Sequence, residues 1–262
     1  MTFVLTAIQD GIATLTLNLP ELHNPISDPS MVDALVAALA GADAEPAVRV
    51  IILTGAGKSF CSGGNIKTML PDSPHSLAHA QPALTPGNYR RGIQRIPLLF
   101  EQLQKPVIAA VNGAAMGAGC DLACMCDIRI AASSARFAEN FVKLGLSPGD
   151  GGAWLLQRVV GYSKAAEMAL TGDTLDAEQA LACGLVSRVV PDDQLLNEAR
   201  KLASRIAANP PLAVQQAKRL LMQGRQGALA PLLESAAAVQ ALLHTTEEHR
   251  EAVEAFSKRG PK

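Results

Sequence analysis

Two apolar runs, each followed at once by a glycine-rich segment, constrain this chain more than any other feature. Val48 to Leu53 is apolar apart from Arg49, and Val107 to Val111 is entirely apolar. Such runs are typical of strands buried on both faces, as in parallel sheets. Because parallel strands require long crossover connections, the helical spacing of Pro29 to Ala42 before the first run fits the same interpretation. The sequence therefore predicts an α/β fold.

The pattern changes along the chain from strands to helices. The alternating runs Val4 to Ala7 and Ala13 to Leu17 flank Asp10-Gly11, which predicts a β-hairpin. After about Leu155 the spacing is mostly helical, and only Val186 to Val190 resembles a strand. We therefore predict an α/β core over residues 1–200 and a C-terminal helical region over residues 201–262.

Composition excludes several classes of partner. Twenty-three Lys and Arg against 24 Asp and Glu give a formal charge of -1, which provides no positive field for a nucleic acid. One Trp, 2 Tyr and 6 Phe are too few for a base-stacking platform or a membrane-interface belt. The uncharged stretch Val107 to Cys120 is too short to span a bilayer and is interrupted by glycines. We expect neither a nucleic acid nor a membrane as partner.

The cysteines and the N-terminal segment bear on location. No Lys or Arg precedes Arg49, so the charged region of a secretory signal is missing. Five cysteines, an odd number, favour reduced thiols over a disulfide framework. Cys120, Cys124 and Cys126 have a spacing that matches no common zinc pattern. We expect a cytoplasmic protein without a metal site.

The first glycine-rich segment, Thr54 to Asn65, partly matches the sequence motif of a phosphate-binding loop. Gly57-Lys58-Ser59 matches the end of that motif, but its first glycine would have to fall at Ile52, inside the strand. ATP-dependent protection against heat would reveal a nucleotide site, and we expect none. Gly63 and Gly64 instead permit a tight turn with outward backbone N–H groups.

The second glycine-rich segment, Asn112 to Asp121, opens a helix. Gly117-x-Gly119 is followed by Leu122 where a dinucleotide fingerprint requires Gly or Ala. What remains is a helix N-terminus with free N–H donors and a positive dipole end. Two such turns facing one oxygen would form an oxyanion hole.

Motifs spread over nearly the whole chain resemble those of the crotonase, or enoyl-CoA hydratase/isomerase, superfamily. They are Leu17-Asn18-Leu19-Pro20, Phe60-Cys61-Ser62-Gly63-Gly64-Asn65, Lys105-Pro106-Val107-Ile108-Ala109-Ala110-Val111-Asn112-Gly113, Gly117-Ala118-Gly119-Cys120-Asp121, Pro148-Gly149-Asp150-Gly151-Gly152 and Gly184-Leu185-Val186. The resemblance implies a spiral of ββα units with a C-terminal helical trimerisation region. It also implies an acyl-CoA thioester substrate, no cofactor beyond the coenzyme A of that substrate, and a homotrimer or a dimer of trimers.

By position in the family motifs, the backbone N–H groups of Ser62 and Ala118 would form the oxyanion hole. The family often has glycine at the position of Ala118, but any residue except proline supplies the N–H group. Two hydrogen bonds to the thioester oxygen would stabilise an enolate and lower the barrier to chemistry at the α and β carbons.

The carboxylates depart from the pattern of the family's hydratases, which use two glutamates. Asp121 occupies the first glutamate position and Phe141 the second, and a phenyl ring transfers no proton. Asp150 is a candidate replacement, because burial would raise its pKa toward the range of a general acid or base. The alternative is that Asp150 caps the helix that follows Gly151. Glu139 lies two residues from the matching position, and we expect it on the surface.

The resemblance also implies a set of residues that bind the substrate or its coenzyme A. They are His23, Gly63, Gly64, Ile66, Phe141, Phe256, Lys258 and Arg259. For Lys258 and Arg259 a solvated helix tail is an equal alternative.

Three functions remain open on the sequence. The first is an enoyl-CoA hydratase that adds water to a trans-2-enoyl-CoA, with Asp121 and Asp150 transferring protons. The second is a Δ3,Δ2-enoyl-CoA isomerase, which the absence of the second glutamate favours. The third is an acyl-CoA-binding protein that retains the fold without catalysis, since fold does not imply function.

Overall fold

Two sheets organise the part of the chain that the structure, a computed structural model, describes: residues 2–70, 73 and 75–258. Their strands are β1 (Val4–Gln9), β2 (Ile12–Leu17), β3 (Val50–Gly55), β4 (Ser59–Cys61), β5 (Val107–Val111), β6 (Ala114–Met116), β7 (Ile128–Ala132), β8 (Arg136–Ala138), β9 (Thr174–Asp176) and β10 (Arg188–Val190). The larger sheet has the order β1-β2-β3-β5-β7-β10 and the smaller one the order β4-β6-β8-β9.

The larger sheet begins with the predicted hairpin and continues in parallel. β1 and β2 pair antiparallel around Asp10 and Gly11, both of which have positive φ. Every other neighbour pair in this sheet is parallel. All residues of β3 and β5 are buried, as expected of parallel strands covered on both faces.

The two sheets are built by repetition of one unit. Each of the pairs β3–β4, β5–β6 and β7–β8 places its first strand in the larger sheet and its second in the smaller sheet, and helical structure follows. The spiral of ββα units that the family resemblance implies is therefore confirmed. As a result β4, β6 and β8 run parallel, and their carboxyl ends lie at one edge of the smaller sheet.

Helices cover the sheets and make up most of the second half of the described chain. They are α1 (Pro29–Ala44), α2 (Thr85–Arg91), α3 (Arg95–Phe100), α4 (Ala118–Met125), α5 (Gly152–Val160), α6 (Tyr162–Thr171), α7 (Ala177–Ala182), α8 (Leu195–Ala207), α9 (Pro211–Gly224), α10 (Leu229–Leu243) and α11 (Glu247–Ser257). In the described residues, no helix is long and apolar enough to cross a membrane.

α8 packs on the larger sheet and forms a second hydrophobic cluster beside the main core. Its Leu195, Ala199 and Ala203 are buried with Val50 and Ile52 of β3. The boundary that we predict between residues 200 and 201 falls within this helix, so the first helix beyond the core is α9.

α9 is attached to the core through one buried lysine. The Nζ of Lys218 lies 2.8 Å from an Oδ of Asp127 and donates to the carbonyl of Lys105 at 2.9 Å. The same Asp127 oxygen accepts the N–H of Val107 at 2.7 Å. By contrast, α10 and α11 bury no residue in the described chain. They expose large apolar side chains, among them Leu229, Leu233, Leu242, Val253 and Phe256.

Candidate active site

The site lies at the edge of the smaller sheet where three parallel strands end. β4 ends at Cys61, β6 at Met116 and β8 at Ala138, and each is followed by part of the site: the Ser62–Gly64 turn, Gly117 with α4, and Glu139. Carboxyl ends of parallel strands are a preferred place for ligands, because the connecting segments meet there.

The two glycine-rich turns pack backbone against backbone. A Cβ on Gly63 would collide with the carbonyl oxygen of Met116 and lie 3.1 Å from the Ala118 nitrogen, and a Cβ on Gly119 would collide with the Cys61 carbonyl. Gly63 also has a φ of +83°, which side chains disfavour. The glycines therefore bring the turn after β4 against the start of α4.

The structure assigns the N–H donors of these turns differently from the sequence. The Ser62 N–H donates to the carbonyl of His23 at 2.9 Å, so it is already used within the protein. The N–H of Gly64 has no acceptor among the described residues. Ala118 is the first residue of α4, whose N–H has no intrahelical acceptor. The prediction of Ser62 as a donor is wrong, and Gly64 with Ala118 is the pair left free.

Gly64 and Ala118 border the same cavity, of about 100 Å³. Its wall also contains Asp150 and Phe141. The other side chains of the wall are apolar ones from Met69, Leu77, Ala78, Ile93 and Leu146 and polar ones from Ser27, Thr68, His75, Tyr89 and Ser147. A cavity that combines apolar side chains, a single carboxyl group and two free N–H donors has the composition expected of a small reactive site.

Asp150 is buried in that wall. It is 2% exposed, so its carboxyl group is almost completely shielded from solvent. The N-cap of α5 is Gly151, and no side chain caps this helix. The alternative that Asp150 caps the helix is therefore wrong. Asp150 also borders a second cavity, of about 440 Å³, on the side of Trp154 and Met222.

Two further carboxyl groups are buried next to Asp150. Asp121 is 0% and Glu139 1% exposed, and neither borders the smaller cavity. The expectation that Glu139 lies on the surface is wrong, because it follows β8 at the same sheet edge that α4 occupies. Asp121 lies within hydrogen-bonding reach of both Glu139 and Asp150, so the three carboxyls form one cluster.

Burial raises the pKa of every member of this carboxyl cluster, and repulsion between carboxylates adds to the rise for Asp121 and Glu139. Burial raises the pKa of Asp121 well above its ordinary value, and the charges of Asp150 and Glu139 raise it further. Burial raises the pKa of Glu139 to about 7, although a hydrogen bond from Asp121 opposes the rise. Burial also raises the pKa of Asp150, again against a hydrogen bond from Asp121. Burial therefore favours the protonated form of each member of the cluster.

The uncharged neighbours of the cluster remain protonated at neutral pH. Burial raises the pKa of Cys61 to about 12. A hydrogen bond with Cys124, followed by burial, raises the pKa of Cys120 well above its ordinary value. Burial and then the charge of Asp150 raise the pKa of Tyr89. Near neutral pH, only the three carboxyl groups of this cluster therefore gain or lose protons, and its Cys and Tyr neighbours do not.

Some of the residues predicted to bind coenzyme A lie near the cavity, and others lie away from it. The His23 carbonyl contacts the Ser62 turn, and Ile66 is 67% exposed just beyond Gly64. Phe256 is 79% exposed in α11, and neither it nor Lys258 borders the cavity. Arg259 lies outside the described residues.

Comparisons with known proteins agree with this architecture. The family model for enoyl-CoA hydratase/isomerase matches residues 7–262. A 2,3-dehydroadipyl-CoA hydratase of Escherichia coli is 37% identical, with 100% of this chain and 98% of the relative covered. A 1,2-epoxyphenylacetyl-CoA isomerase of the same organism is 38% identical, again with 100% and 98% covered. A crystal structure of an enoyl-CoA hydratase from Bacillus anthracis superposes with a TM-score of 0.90 at 31% identity, covering 98% of this chain and 96% of that one.

A spiral of ββα units that carries two free N–H donors and a buried carboxyl at one sheet edge is a crotonase fold with a candidate active site. The chain belongs to the enoyl-CoA hydratase/isomerase family and is an enzyme of that kind.

Proposed function

We propose that this enzyme adds water to the double bond of a trans-2-enoyl-CoA. The observation that carries the proposal is the cavity in which the free N–H groups of Gly64 and Ala118 share a wall with the buried carboxyl of Asp150. Relatives named as hydratases support it, including a crotonyl-CoA hydratase of Syntrophomonas wolfei at 36% identity.

In this proposal Gly64 and Ala118 hold the thioester oxygen. Addition of water at the β carbon pushes electrons into the thioester and places negative charge on that oxygen. Fixed N–H donors stabilise this charge without reorganising, and one such donor contributes about 3 to 4 kcal/mol to transition-state stabilisation. The positive end of the α4 dipole adds to the effect at Ala118.

Asp150 transfers the protons. As a carboxylate it accepts a proton from the attacking water while the hydroxyl oxygen bonds to the β carbon. The resulting acid returns a proton to the α carbon as the enolate collapses, so the product gains the elements of water and the carboxylate is regenerated. Phe141 contributes an apolar wall in place of a second acid, which keeps the pKa of Asp150 high.

An isomerase is the second candidate, and a single observation favours it. Asp150 is the carboxyl residue that borders the cavity, and one base is enough to move a proton from C2 to C4 of a 3-enoyl-CoA. The same N–H pair would stabilise the intermediate enolate. The 1,2-epoxyphenylacetyl-CoA isomerase among the relatives shows that the family includes isomerases.

One absorbance assay separates these functions. We would follow the conjugated enoyl thioester with trans-2-enoyl-CoA and, separately, 3-enoyl-CoA substrates of several chain lengths. Loss of absorbance from the 2-enoyl substrate supports hydration, whereas a gain from the 3-enoyl substrate supports isomerisation. Tight binding of both without turnover would contradict both candidates and support an acyl-CoA-binding protein.

The assembly and coenzyme A contacts remain proposals as well. We propose a homotrimer or dimer of trimers formed through the C-terminal helical region, which is supported by the exposed Leu229, Leu233 and Leu242. Phe256 and Lys258 would then reach the coenzyme A of a neighbouring subunit. Sedimentation of Leu233→Ser beside the wild type tests this: the variant should dissociate. An unchanged mass would contradict this assignment of the interface.

We also propose a cytoplasmic location and no cofactor beyond the coenzyme A of the substrate. All five cysteines are unpaired, and four of them are buried. Free thiols of this kind are typical of reducing compartments.

A further inference from the structure

Asp121, Glu139 and Asp150 form a buried carboxyl cluster of which Asp150 borders the smaller cavity. In the described chain, no side chain outside the cluster donates an N–H or O–H hydrogen bond to their six oxygens, and only the backbone N–H groups of Gly149 and Asp150 lie near the Asp150 carboxyl. Three ionised carboxylates with so few donors would be strongly unfavourable in such a place. The cluster must therefore retain at least one proton and use it as its own hydrogen-bond donor.

The position of Asp121 makes it the carrier of that proton. Its carboxyl group is fully buried and lies within hydrogen-bonding reach of both other carboxyls. It is also pressed against Gly152, next to the segment that holds Asp150. A proton on Asp121 can therefore be donated either to Glu139 or to Asp150.

We propose that Asp121 and Glu139 are positioning residues which share one proton beside Asp150. The position of this proton controls how easily Asp150 accepts a proton in the cavity. When Asp121 donates to Asp150, the carboxylate form of Asp150 is stabilised. When Asp121 donates to Glu139, Asp150 loses that donor. Glu139 thus competes for the hydrogen bond that Asp150 needs, although it does not border the cavity.

The titratable groups around the cluster do not take part in this proton sharing. The titratable side chains coupled to the carboxyls are those of Cys61, Cys120 and Tyr89, and all three remain neutral near pH 7. His75 also borders the cavity that Asp150 lines, but it is exposed and not buried with the cluster. A metal centre is not the alternative: no group of three or more His, Cys, Asp or Glu in residues 2–70, 73 and 75–258 is arranged to hold an ion.

The first experiment needs no substrate, and its outcome is therefore independent of the proposed function. Infrared difference spectra of the full-length protein, recorded from pH 5 to 9, report the carbonyl stretch of a protonated carboxyl. The wild type should retain this band at pH 7, and the band should be weaker in Asp121→Asn. A band unchanged in Asp121→Asn, or absent from the wild type at pH 7, would overturn the proposal.

The second experiment rests on the proposed function and follows kcat against pH. Glu139→Gln removes a negative charge and replaces the competing carboxylate by a weaker amide acceptor, so the carboxylate form of Asp150 becomes more favourable. The acidic limb of the profile should move to lower pH by about one unit. Glu178→Gln, an identical exchange at an exposed position, should leave the limb in place.

A conservative variant separates positioning from structure. Glu139→Asp keeps a competing carboxyl and should return the acidic limb toward its wild-type pH. If Glu139→Gln lowered kcat equally at every pH without moving the limb, Glu139 would have a structural role only and the proposal would fail. Absence of turnover by the wild type would instead count against the proposed function, and the infrared result would still decide the proton-sharing cluster.

Discussion

The carboxyl group of Asp121 lies so close to Gly152 that no methyl group fits between them. Gly152 is the first residue of α5 and has no positive φ, so its backbone would accept alanine. Glycine is therefore required at position 152 because a Cβ there would collide with the Asp121 carboxyl group. Through this contact, the start of α5 fixes where the buried carboxyl cluster lies.

Gly152→Ala should consequently disturb the site. Overpacking typically costs about 1 to 3 kcal/mol, and displacement of Asp121 should lower kcat at least tenfold. Gly41→Ala is the matched control, because a Cβ at Gly41 in α1 meets no atom within 4 Å. That variant should gain about 0.5 to 1 kcal/mol of stability. If Gly152→Ala gained stability and retained kcat, the contact would be unimportant.

Ala118→Pro tests the proposed oxyanion hole by deleting one N–H group. Proline is tolerated at the first position of a helix, where its fixed φ suits the backbone. The variant should fold and lose about 10²- to 10³-fold in kcat, as for other single donors. Ala118→Gly keeps the N–H and should stay within a few-fold of the wild type. Equal kcat values for the two variants would exclude Ala118 as a donor.

Glu139 should make the stability of the protein depend on pH. Its pKa rises from 4.5 to about 7 on folding, so folding favours its protonated form. The stabilisation is fully present below about pH 4.5 and is lost as pH rises through 7. The total effect is roughly 3 kcal/mol.

Denaturant titrations at several pH values measure this dependence. The difference in free energy of unfolding between the wild type and Glu139→Gln should change by that amount between pH 4.5 and 8, with the wild type losing stability relative to the variant. Parallel curves for the two proteins would show that Glu139 ionises as freely in the folded chain as in the unfolded one.

Lys218→Met should loosen α9 from the core. The variant leaves Asp127 without its buried cation and the Lys105 carbonyl without a donor, which we expect to cost about 2 to 4 kcal/mol of unfolding free energy. Lys164→Met removes the exposed ion pair with Glu167 and should have little effect, because surface pairs contribute little. Equal stabilities for both variants would contradict the anchoring role of Lys218.

The sequence predicts the backbone of the site better than its side chains. The apolar run Val107 to Val111 is β5 as predicted, and both glycine-rich segments follow their strands. These features depend on local periodicity and on glycine, which a sequence displays directly. Thr174–Asp176, a three-residue strand, was not predicted because so short a segment has no measurable period.

The errors concern contacts between distant segments. The family motif predicts Ser62 as a free donor, but its N–H donates to the His23 carbonyl. His23 lies 39 positions earlier in the chain and is adjacent to Ser62 only in the fold. The sequence predicts Glu139 on the surface, yet Glu139 directly follows β8 and lies at the same edge of the smaller sheet as the end of β6. One signal was present: Glu139 directly follows the buried Phe137 and Ala138, at the carboxyl end of a strand, where sites form.

Substitution of Asp150 by asparagine tests the proposed proton transfer by Asp150, because Asn fills the same volume but accepts no proton. We would measure kcat with the enoyl-CoA substrate that the wild type turns over, together with the Kd for that substrate. Asp150→Asn should bind within a few-fold of the wild type and lose at least 10²-fold in kcat, in line with the loss of a general acid-base group. A variant that kept kcat within tenfold of the wild type would contradict the role of Asp150 and the mechanism built on it.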